Sequence, residues 1–176
     1  ESNINEIIEY IYTFFKPEVA AKGLKFSFSK TLPLKDVNIK TDREKLYAIL
    51  TNLVKNAIKY THSGSIEFGY SLKTEREPID EDQSELMRSN TISNKKNVLE
   101  FFVKDSGIGI AKESQENVFD RFRQAHSITH TNYGGTGLGL SISKGIVENL
   151  GGRIWLESDL NQGAKFFFTL PNHKSI

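Results

Sequence analysis

The sequence contains no cysteine, which excludes disulfide bonds and thiolate metal ligands in this chain. The 23 basic residues nearly balance the 22 acidic ones, and a net charge of +1 gives no indication of a nucleic acid or membrane partner. No apolar run approaches the roughly 20 residues that a membrane-spanning helix requires, and no signal-peptide pattern is present. With 176 residues, 38% of them hydrophobic, the chain is long enough for one domain with a real core.

Apolar residues at steps of three and four predict an N-terminal helix within residues 1–22, which Pro17 should kink or interrupt before Gly23 ends it. Asp42 is a suitable N-cap for a second helix that runs to about Tyr60. A short helix is predicted around residues 112–121. A third long helix is predicted over residues 137–150, with an inward face formed by Ile142, Ile146, Val147 and Leu150.

Alternating or clustered apolar residues predict strands over residues 24–29, 37–40, 66–72, 98–104, 153–157 and 164–170. The last two strands are predicted to form a hairpin around Asn161-Gln162-Gly163. Residues 73–97 are polar, charged and poor in aromatic residues, and they are predicted to form a mobile loop between two strands. This order of elements predicts a two-layer α/β sandwich of the α+β class, in a single domain over residues 1–176.

A glycine-rich segment, Gly134-Gly135-Thr136-Gly137-Leu138-Gly139, precedes the third long helix. Glycines let a backbone approach a ligand closely, and a helix N-terminus offers unpaired N–H groups, so this segment is a candidate phosphate site. A flexible turn is an equally open reading of the segment alone. A P-loop is excluded because Leu140 stands where its lysine is required, and the dinucleotide fingerprint is excluded because the glycine spacing differs and no strand precedes it.

A second candidate is Asp105-Ser106-Gly107-Ile108-Gly109, which follows a predicted strand directly. A carboxylate at a strand end can accept a hydrogen bond from the exocyclic amine of adenine. The two glycines would let the loop pass close to the ring. The alternative is a turn that only terminates the strand, because aspartate and glycine favour turns.

The second long helix carries Asn52, Asn56 and Lys59 at steps of four and three, so they share one face. An asparagine oxygen is a suitable ligand for Mg²⁺, and Lys59 could meet a phosphate as a point charge. The alternative is a solvated helix face without a ligand.

These motifs together, in this order and separation, resemble the GHKL family of ATP-binding domains, and within it the histidine kinases. Residues 52–60 resemble the asparagine box, 105–110 the first glycine box, 119–122 the phenylalanine box, 135–140 the second glycine box and 163–171 the last strand of that family. The resemblance covers nearly the whole chain. It implies a Bergerat-type fold, whose mixed, mostly antiparallel sheet is covered on one face by helices, and it implies ATP and Mg²⁺ as cofactors.

The resemblance also implies roles for individual residues. Asn56 would coordinate Mg²⁺, Asp105 would recognise adenine and Tyr60 would pack near the ring. Residues 115–136 would form a mobile ATP lid, anchored on the core by Phe119 and Phe122. Asn52, Asn56 and Lys59 would be catalytic. The full set expected to contact Mg·ATP is Asn52, Asn56, Lys59, Tyr60, Asp105, Gly107, Ile108, Gly109, Ile110, Phe119, Arg121, Phe122, Arg123, Gly134, Gly135, Thr136, Gly137, Leu138, Gly139 and Leu140.

One departure from the family concerns the γ-phosphate. Many relatives carry Arg or Lys just before the second glycine box, where this chain has His130-Thr131-Asn132. Arg121, Arg123 or a protonated His130 would have to substitute, and the sequence leaves the choice among them open.

The position of Asn52 bears on the type of chemistry. Hydrolysing members of the family resemble Glu-x-x-x-Asn at this point, with the glutamate as general base for water. Asparagine cannot take a proton at neutral pH, so the sequence favours phosphoryl transfer, which needs mainly positioning and charge stabilisation.

The phosphoacceptor is not expected within this chain. None of His62, His126, His130 and His173 lies on an amphipathic helix before an acidic residue, as the acceptor of histidine kinases does. His126 and His130 have a spacing seen in zinc helices, but no third ligand is evident. Because the chain begins with Glu1 instead of Met, we expect it to be a piece of a longer protein whose phosphoacceptor helices precede it.

The resemblance therefore predicts transfer of the γ-phosphoryl group of Mg·ATP to a histidine on an adjoining dimerisation and phosphoacceptor domain. Expected partners are those helices, through which a homodimer would form, and a downstream response regulator or receiver domain. No nucleic acid and no membrane contact is expected of this domain, which would be cytoplasmic even if its parent is membrane-anchored. The alternatives are a serine/threonine kinase of the anti-sigma type and a nucleotide-binding regulatory module without turnover.

Overall fold

The structure, a computed structural model, describes residues 2–32, 38–76, 95–120 and 139–172. Within these ranges the helices are α1 (Ile4–Ala21), α2 (Arg43–Tyr60), α3 (Lys112–Gln115) and α4 (Gly139–Asn149). The strands are β1 (Ser2–Asn3), β2 (Lys25–Lys30), β3 (Asn38–Ile39), β4 (Ser65–Arg76), β5 (Lys95–Asp105), β6 (Ile154–Ser158) and β7 (Ala164–Pro171).

Five of these strands form one sheet in the order β2-β4-β5-β7-β6. β2 pairs with β4 in parallel, and the other three pairings are antiparallel. β1 and β3 form a separate two-residue pair. Helices α1, α2 and α4 pack on one face of the large sheet. The predicted two-layer α/β sandwich with a mixed, mostly antiparallel sheet is therefore confirmed.

Both long N-terminal helices start at side-chain caps. The carboxylate of Asp42 accepts a hydrogen bond from the Lys45 amide at 3.1 Å, as predicted, and this bond holds the pKa of Asp42 below its usual range. Asn3 caps α1 in the same manner. α1 runs through Pro17 without a break because Phe15 and Val19 on either side of it are buried, so the interruption expected there is wrong.

The core lies between the helices and one face of the sheet. Phe68, Phe101 and Phe168 sit on three adjacent strands and are fully buried, and the rings of Phe101 and Phe168 stack at 4.8 Å. Apolar residues of α1 and α2 close this layer at three- and four-residue steps: Ile4, Ile7, Ile8, Ile11, Leu46, Ile49, Leu50, Leu53 and Val54.

The opposite face of the sheet carries an aromatic row. Phe102, Phe167 and Trp155 are register partners on β5, β7 and β6. The ring of Trp155 stacks on that of Phe167 at 5.1 Å, and the Arg153 guanidinium lies 4.3 Å above the indole. Arg153 is in turn paired with Glu75, so the row is capped by a charged pair.

Three local predictions are wrong. Residues 73–76 and 95–97, assigned to a loop, extend β4 and β5, because their backbones continue the antiparallel ladder; the segment between them lies outside the described residues. α3 is shorter than predicted, and turns follow it to residue 119. Ile142 does not face inward: its side chain is 56% exposed, since Ser143 and Val147 occupy the buried face of α4.

Candidate nucleotide-binding site

Asp105, the last residue of β5, is buried at the end of the strand. Its Oδ1 accepts hydrogen bonds from the backbone amides of Gly107 at 2.8 Å and Ala164 at 3.3 Å. Burial raises the pKa of this carboxyl, and the two amide hydrogen bonds oppose that rise. The protein thus holds one carboxylate oxygen in a fixed position by main-chain contacts.

The loop that follows Asp105 is fixed to elements on both sides. The Ile108 amide donates to the Tyr60 carbonyl at the end of α2 (3.1 Å), and the Asn161 amide donates to the Ile108 carbonyl (2.7 Å). The Ile110 amide donates to Ser158 Oγ at 2.9 Å. The first glycine box is therefore held between α2 and the β6–β7 hairpin.

The backbone at Gly107 lies close to polar atoms of three other residues. A methyl group on this glycine would lie 2.8 Å from Asp105 Oδ1 and 2.9 Å from Thr61 Oγ1, and it would overlap the Tyr60 carbonyl. Thr61 is fully buried, and its hydroxyl lies beside the Asp105 carboxyl, where a hydrogen bond from it helps to lower the pKa of that carboxyl. The hydroxyl of Thr61 is therefore part of the polar surroundings of Asp105.

The exposed side of α2 carries the three polar residues that the sequence grouped together. Asn52, Asn56 and Lys59 are each partly exposed on neighbouring turns. Lys59 Nζ lies 4.9 Å from the centre of the Tyr60 ring, in a cation–π contact. Asn52, Asn56 and Lys59 thus share one face of α2, as predicted, and this face is called the asparagine face.

Helix α4 begins against this face. A side chain on Gly139 would overlap Asn52 Oδ1, so the Asn52 side chain can take its present position because residue 139 is glycine. Asn52 Nδ2 donates to Ser143 Oγ, one turn further along α4, at 2.9 Å. Leu140 is partly buried against the core. The start of α4 and the asparagine face of α2 therefore form one continuous surface.

The segment expected to begin the ATP lid is fixed at its root. Gln115 Nε2 donates to the carbonyls of Ile110 and Ser158, each at 2.8 Å, and joins α3 to the first glycine box and the hairpin. Phe119 packs edge-on against Phe166 at 6.2 Å. The core contact expected of Phe119 is thus present.

The structure brings together the predicted residues of α2, the first glycine box and the start of α4. The remaining predicted residues lie outside the described ranges: Arg121, Phe122, Arg123, Gly134, Gly135, Thr136, Gly137 and Leu138, together with His126 and His130.

The sequence did not identify Thr61, Gln115, Ser143 and Ser158. Ser143 could have been found, because it lies four residues after Gly139 on the same helical face.

Two kinds of feature are absent from the described residues. No group of three or more His, Asp or Glu side chains lies close enough together to hold a metal ion. None of the helices found there has both the length and the apolar character needed to cross a bilayer.

A family model of histidine kinase-, DNA gyrase B- and HSP90-like ATPases matches residues 41–174. The chain belongs to this family. The match spans the described site from Asp42 to the end of β7, so the asparagine face, the Asp105 loop and the start of α4 are all family elements.

Relatives of the family resemble the chain over nearly all its length. The autoinducer 2 sensor kinase/phosphatase LuxQ of Vibrio vulnificus is 33% identical over 172 residues, which are 98% of this chain and 18% of LuxQ. The chain spans between 11% and 24% of the length of the curated relatives it matches.

Solved structures agree with this family membership. The catalytic domain of the histidine kinase ThkA is 29% identical with a TM-score of 0.71, and the match covers 97% of this chain and 95% of that one. ThkA has also been solved in complex with the response regulator protein TrrA (26% identical, TM-score 0.65, covering 97% of this chain and 41% of that one). Full-length ShkA in complex with AMPPNP is 25% identical with a TM-score of 0.75, over 99% of this chain and 31% of ShkA.

Proposed function

We propose that this chain binds Mg·ATP and transfers its γ-phosphoryl group to a histidine on an adjoining dimerisation and phosphoacceptor domain. The observation that carries the proposal is Asn52, held against the start of α4 at the position where hydrolysing relatives would carry a general base. An amide there can position a phosphate but cannot activate water. Phosphoryl transfer to a protein side chain needs that positioning and no base on this helix.

The surroundings of Asp105 fit an adenine ring. Oδ1 is occupied by backbone amides, which leaves Oδ2 to accept a hydrogen bond from the exocyclic amine. Gly107 lets the loop pass close to the carboxylate, and the hydroxyl of Thr61 beside it offers a second polar contact. The ATP analogue AMPPNP in the related ShkA structure supports this choice of ligand.

The asparagine face of α2 fits the phosphate end. We propose that Asn56 Oδ1 is the protein ligand of Mg²⁺, which would complete its shell with phosphate oxygens and water and would neutralise phosphate charge. Lys59, partly exposed beside Tyr60, would meet a phosphate as a point charge. The first turn of α4 lies next to Asn52, and a helix N-terminus favours a phosphate group.

The acceptor and the downstream partner lie outside this chain. We propose that a response regulator or receiver domain takes the phosphoryl group from the acceptor histidine, which is supported by the solved complex of ThkA with a response regulator. We further propose that this domain works in the cytoplasm, where ATP is available.

The test is to mix the chain with the dimerisation and phosphoacceptor segment of its parent protein and γ-labelled ATP. We expect label on that segment that is lost in acid and stable in base, as for phosphohistidine. Acid-stable label on serine or threonine would instead identify the kinase as the anti-sigma type. ATP binding without any transferred label would favour a regulatory module.

The replacement Asn56→Asp is expected to weaken Mg·ATP binding about tenfold and to change the dependence of this binding on Mg²⁺. The reason is that the new carboxylate places a negative charge opposite the negatively charged phosphates. ATP affinity measured by calorimetry over a range of Mg²⁺ concentrations checks this expectation.

The control is Asn97→Asp, which makes the same charge change at the far end of β5 from Asp105, at an exposed position. If both variants bind Mg·ATP with the same Mg²⁺ dependence as the wild type, Asn56 is not the metal ligand.

A further inference from the structure

The hydrogen bond between α2 and α4 shows how the Asn52 side chain is held. Asn52 Nδ2 donates to Ser143 Oγ at 2.9 Å, and the two residues are 91 positions apart in the chain. With Nδ2 used in this way, Oδ1 lies beside Gly139, at the first turn of α4. We infer that Ser143 is a positioning residue, which holds the Asn52 amide so that Oδ1 faces the phosphate end of the site; this inference rests on the proposed Mg·ATP function.

The burial of Ser143 argues for such a role. Its side chain is 2% exposed, and it shares the inward face of α4 with Val147, which is fully buried. If residue 143 served only to pack α4 against the core, an alanine would be sufficient. A hydroxyl buried there without a partner would cost free energy. Within the described residues the hydroxyl is hydrogen-bonded to Asn52.

The lack of a side chain at Gly139 accommodates the other end of the Asn52 amide. Gly139 and Ser143 are four residues apart and therefore lie on the same face of α4. The missing side chain at Gly139 leaves space that Asn52 Oδ1 fills, while Ser143 binds the other end of the same amide. Asn52 is thereby hydrogen-bonded at Nδ2 and closely packed at Oδ1 against the helix that follows the second glycine box.

Such restraint matters because a free asparagine side chain has two rotatable bonds, and the second of them turns the amide. A group that positions a phosphate must be held within a fraction of an ångström, and supporting hydrogen bonds supply that restraint. Ser143 needs no contact with the nucleotide to act in this way. Its effect should therefore depend on Asn52 and should concern the phosphates, not the base.

A double-mutant cycle on the complete 176-residue chain tests the inference. Affinities for Mg·ATP and for adenosine are measured in the wild type, Ser143→Ala, Asn52→Ala and the double variant. We expect Ser143→Ala to weaken Mg·ATP binding roughly three- to tenfold, the range for one lost hydrogen bond. Adenosine affinity should stay unchanged, and Ser143→Ala should have no further effect in the Asn52→Ala background.

The control for loss of a buried hydroxyl is Thr169→Val. Thr169 is buried on β7, and its Oγ1 accepts from the Arg153 amide at 3.3 Å, far from the asparagine face. This variant should bind Mg·ATP as the wild type does. Alanine is favourable inside a helix, so Ser143→Ala should fold, and the side-chain amide NMR signal of Asn52 should move in this variant and not in Thr169→Val.

The outcomes separate the two proposals. If the wild type binds Mg·ATP but the two substitutions act additively, or Ser143→Ala weakens adenosine and Mg·ATP equally, the positioning role is refuted while the site stands. An unchanged Mg·ATP affinity in Ser143→Ala refutes it as well. If the wild type binds no Mg·ATP at all, the proposed function fails, and the role of Ser143 fails with it.

Discussion

Replacing Asp105 by asparagine is expected to weaken ATP binding by about 10- to 100-fold, the range for a lost hydrogen bond to a charged group. Asparagine has the same shape and can keep the bonds that Oδ1 accepts from the Gly107 and Ala164 amides. The second carboxylate oxygen then becomes an NH₂ group, which would meet the amine of adenine donor to donor. Calorimetric titration with Mg·ATP measures the loss.

The same substitution should raise the melting temperature of the nucleotide-free chain at neutral pH. Burial raises the pKa of Asp105 in the folded state, so folding favours the protonated form. The stabilisation that comes from the protonated Asp105 carboxyl is fully present when the pH is below the unfolded-state pKa of this residue. It is lost as the pH rises through the folded-state pKa. The advantage of the asparagine variant should therefore be largest near pH 7 and should shrink in acid, below the ordinary value of 3.8.

A matched control for the Asp105 variant is Glu157→Gln, which removes one negative charge from an exposed position on β6. It should leave both ATP affinity and the melting temperature nearly unchanged. An Asp105→Asn chain that binds ATP as tightly as the wild type would show that the adenine pocket lies elsewhere. A lower melting temperature for that variant would show that the ionised carboxylate stabilises the fold.

Replacing Gly163 by alanine should destabilise the chain by about 3 kcal/mol or more, because strain and overlap combine at this position. The residue has φ of +86°, and an added side chain would overlap the Asp105 carbonyl and lie 2.8 Å from Ser106 Cα. The backbone cannot easily retreat, since Ala164 and Asp105 are register partners of β7 and β5. The expected fall in melting temperature is about 6–12 °C for a chain of this size.

Gly145 provides the opposite case for the same substitution. It is exposed in the middle of α4, and an added side chain would meet nothing within 4 Å. Gly145→Ala should therefore stabilise the chain by up to about 1 kcal/mol. Denaturant unfolding of both variants checks the pair, and a Gly163→Ala chain as stable as the wild type would mean that the hairpin can move away from Asp105.

The sequence predicted those features that depend on local chemistry or on periodicity. The Asp42 cap, the buried stripe of α2 and the hairpin at Gly163 each follow from residues close together in the chain. The motif order also grouped the candidate site residues, because residues of α2, the Asp105 loop and the start of α4 meet in the structure. Such features need no knowledge of tertiary packing.

Features set by tertiary contacts were missed. The polar composition of residues 73–76 hid a strand, because ladder pairing satisfies backbone groups whatever the side chains are. Ile142 was assigned inward by its apolar character, but the contact with Asn52 turns Ser143 inward in its place. Thr61 and Gln115 act through partners that no short-range pattern reveals.

The aromatic row of Phe102, Phe167 and Trp155 has a practical consequence. Trp155 is the only tryptophan among the 176 residues, and it lies on the side of the sheet opposite the helices. Its indole emission, quenched or shifted by stacking on Phe167 and by Arg153, comes from a single known environment. The protein thus carries a built-in optical probe of sheet integrity. This probe can follow the unfolding of every variant above without a label at the asparagine face of α2.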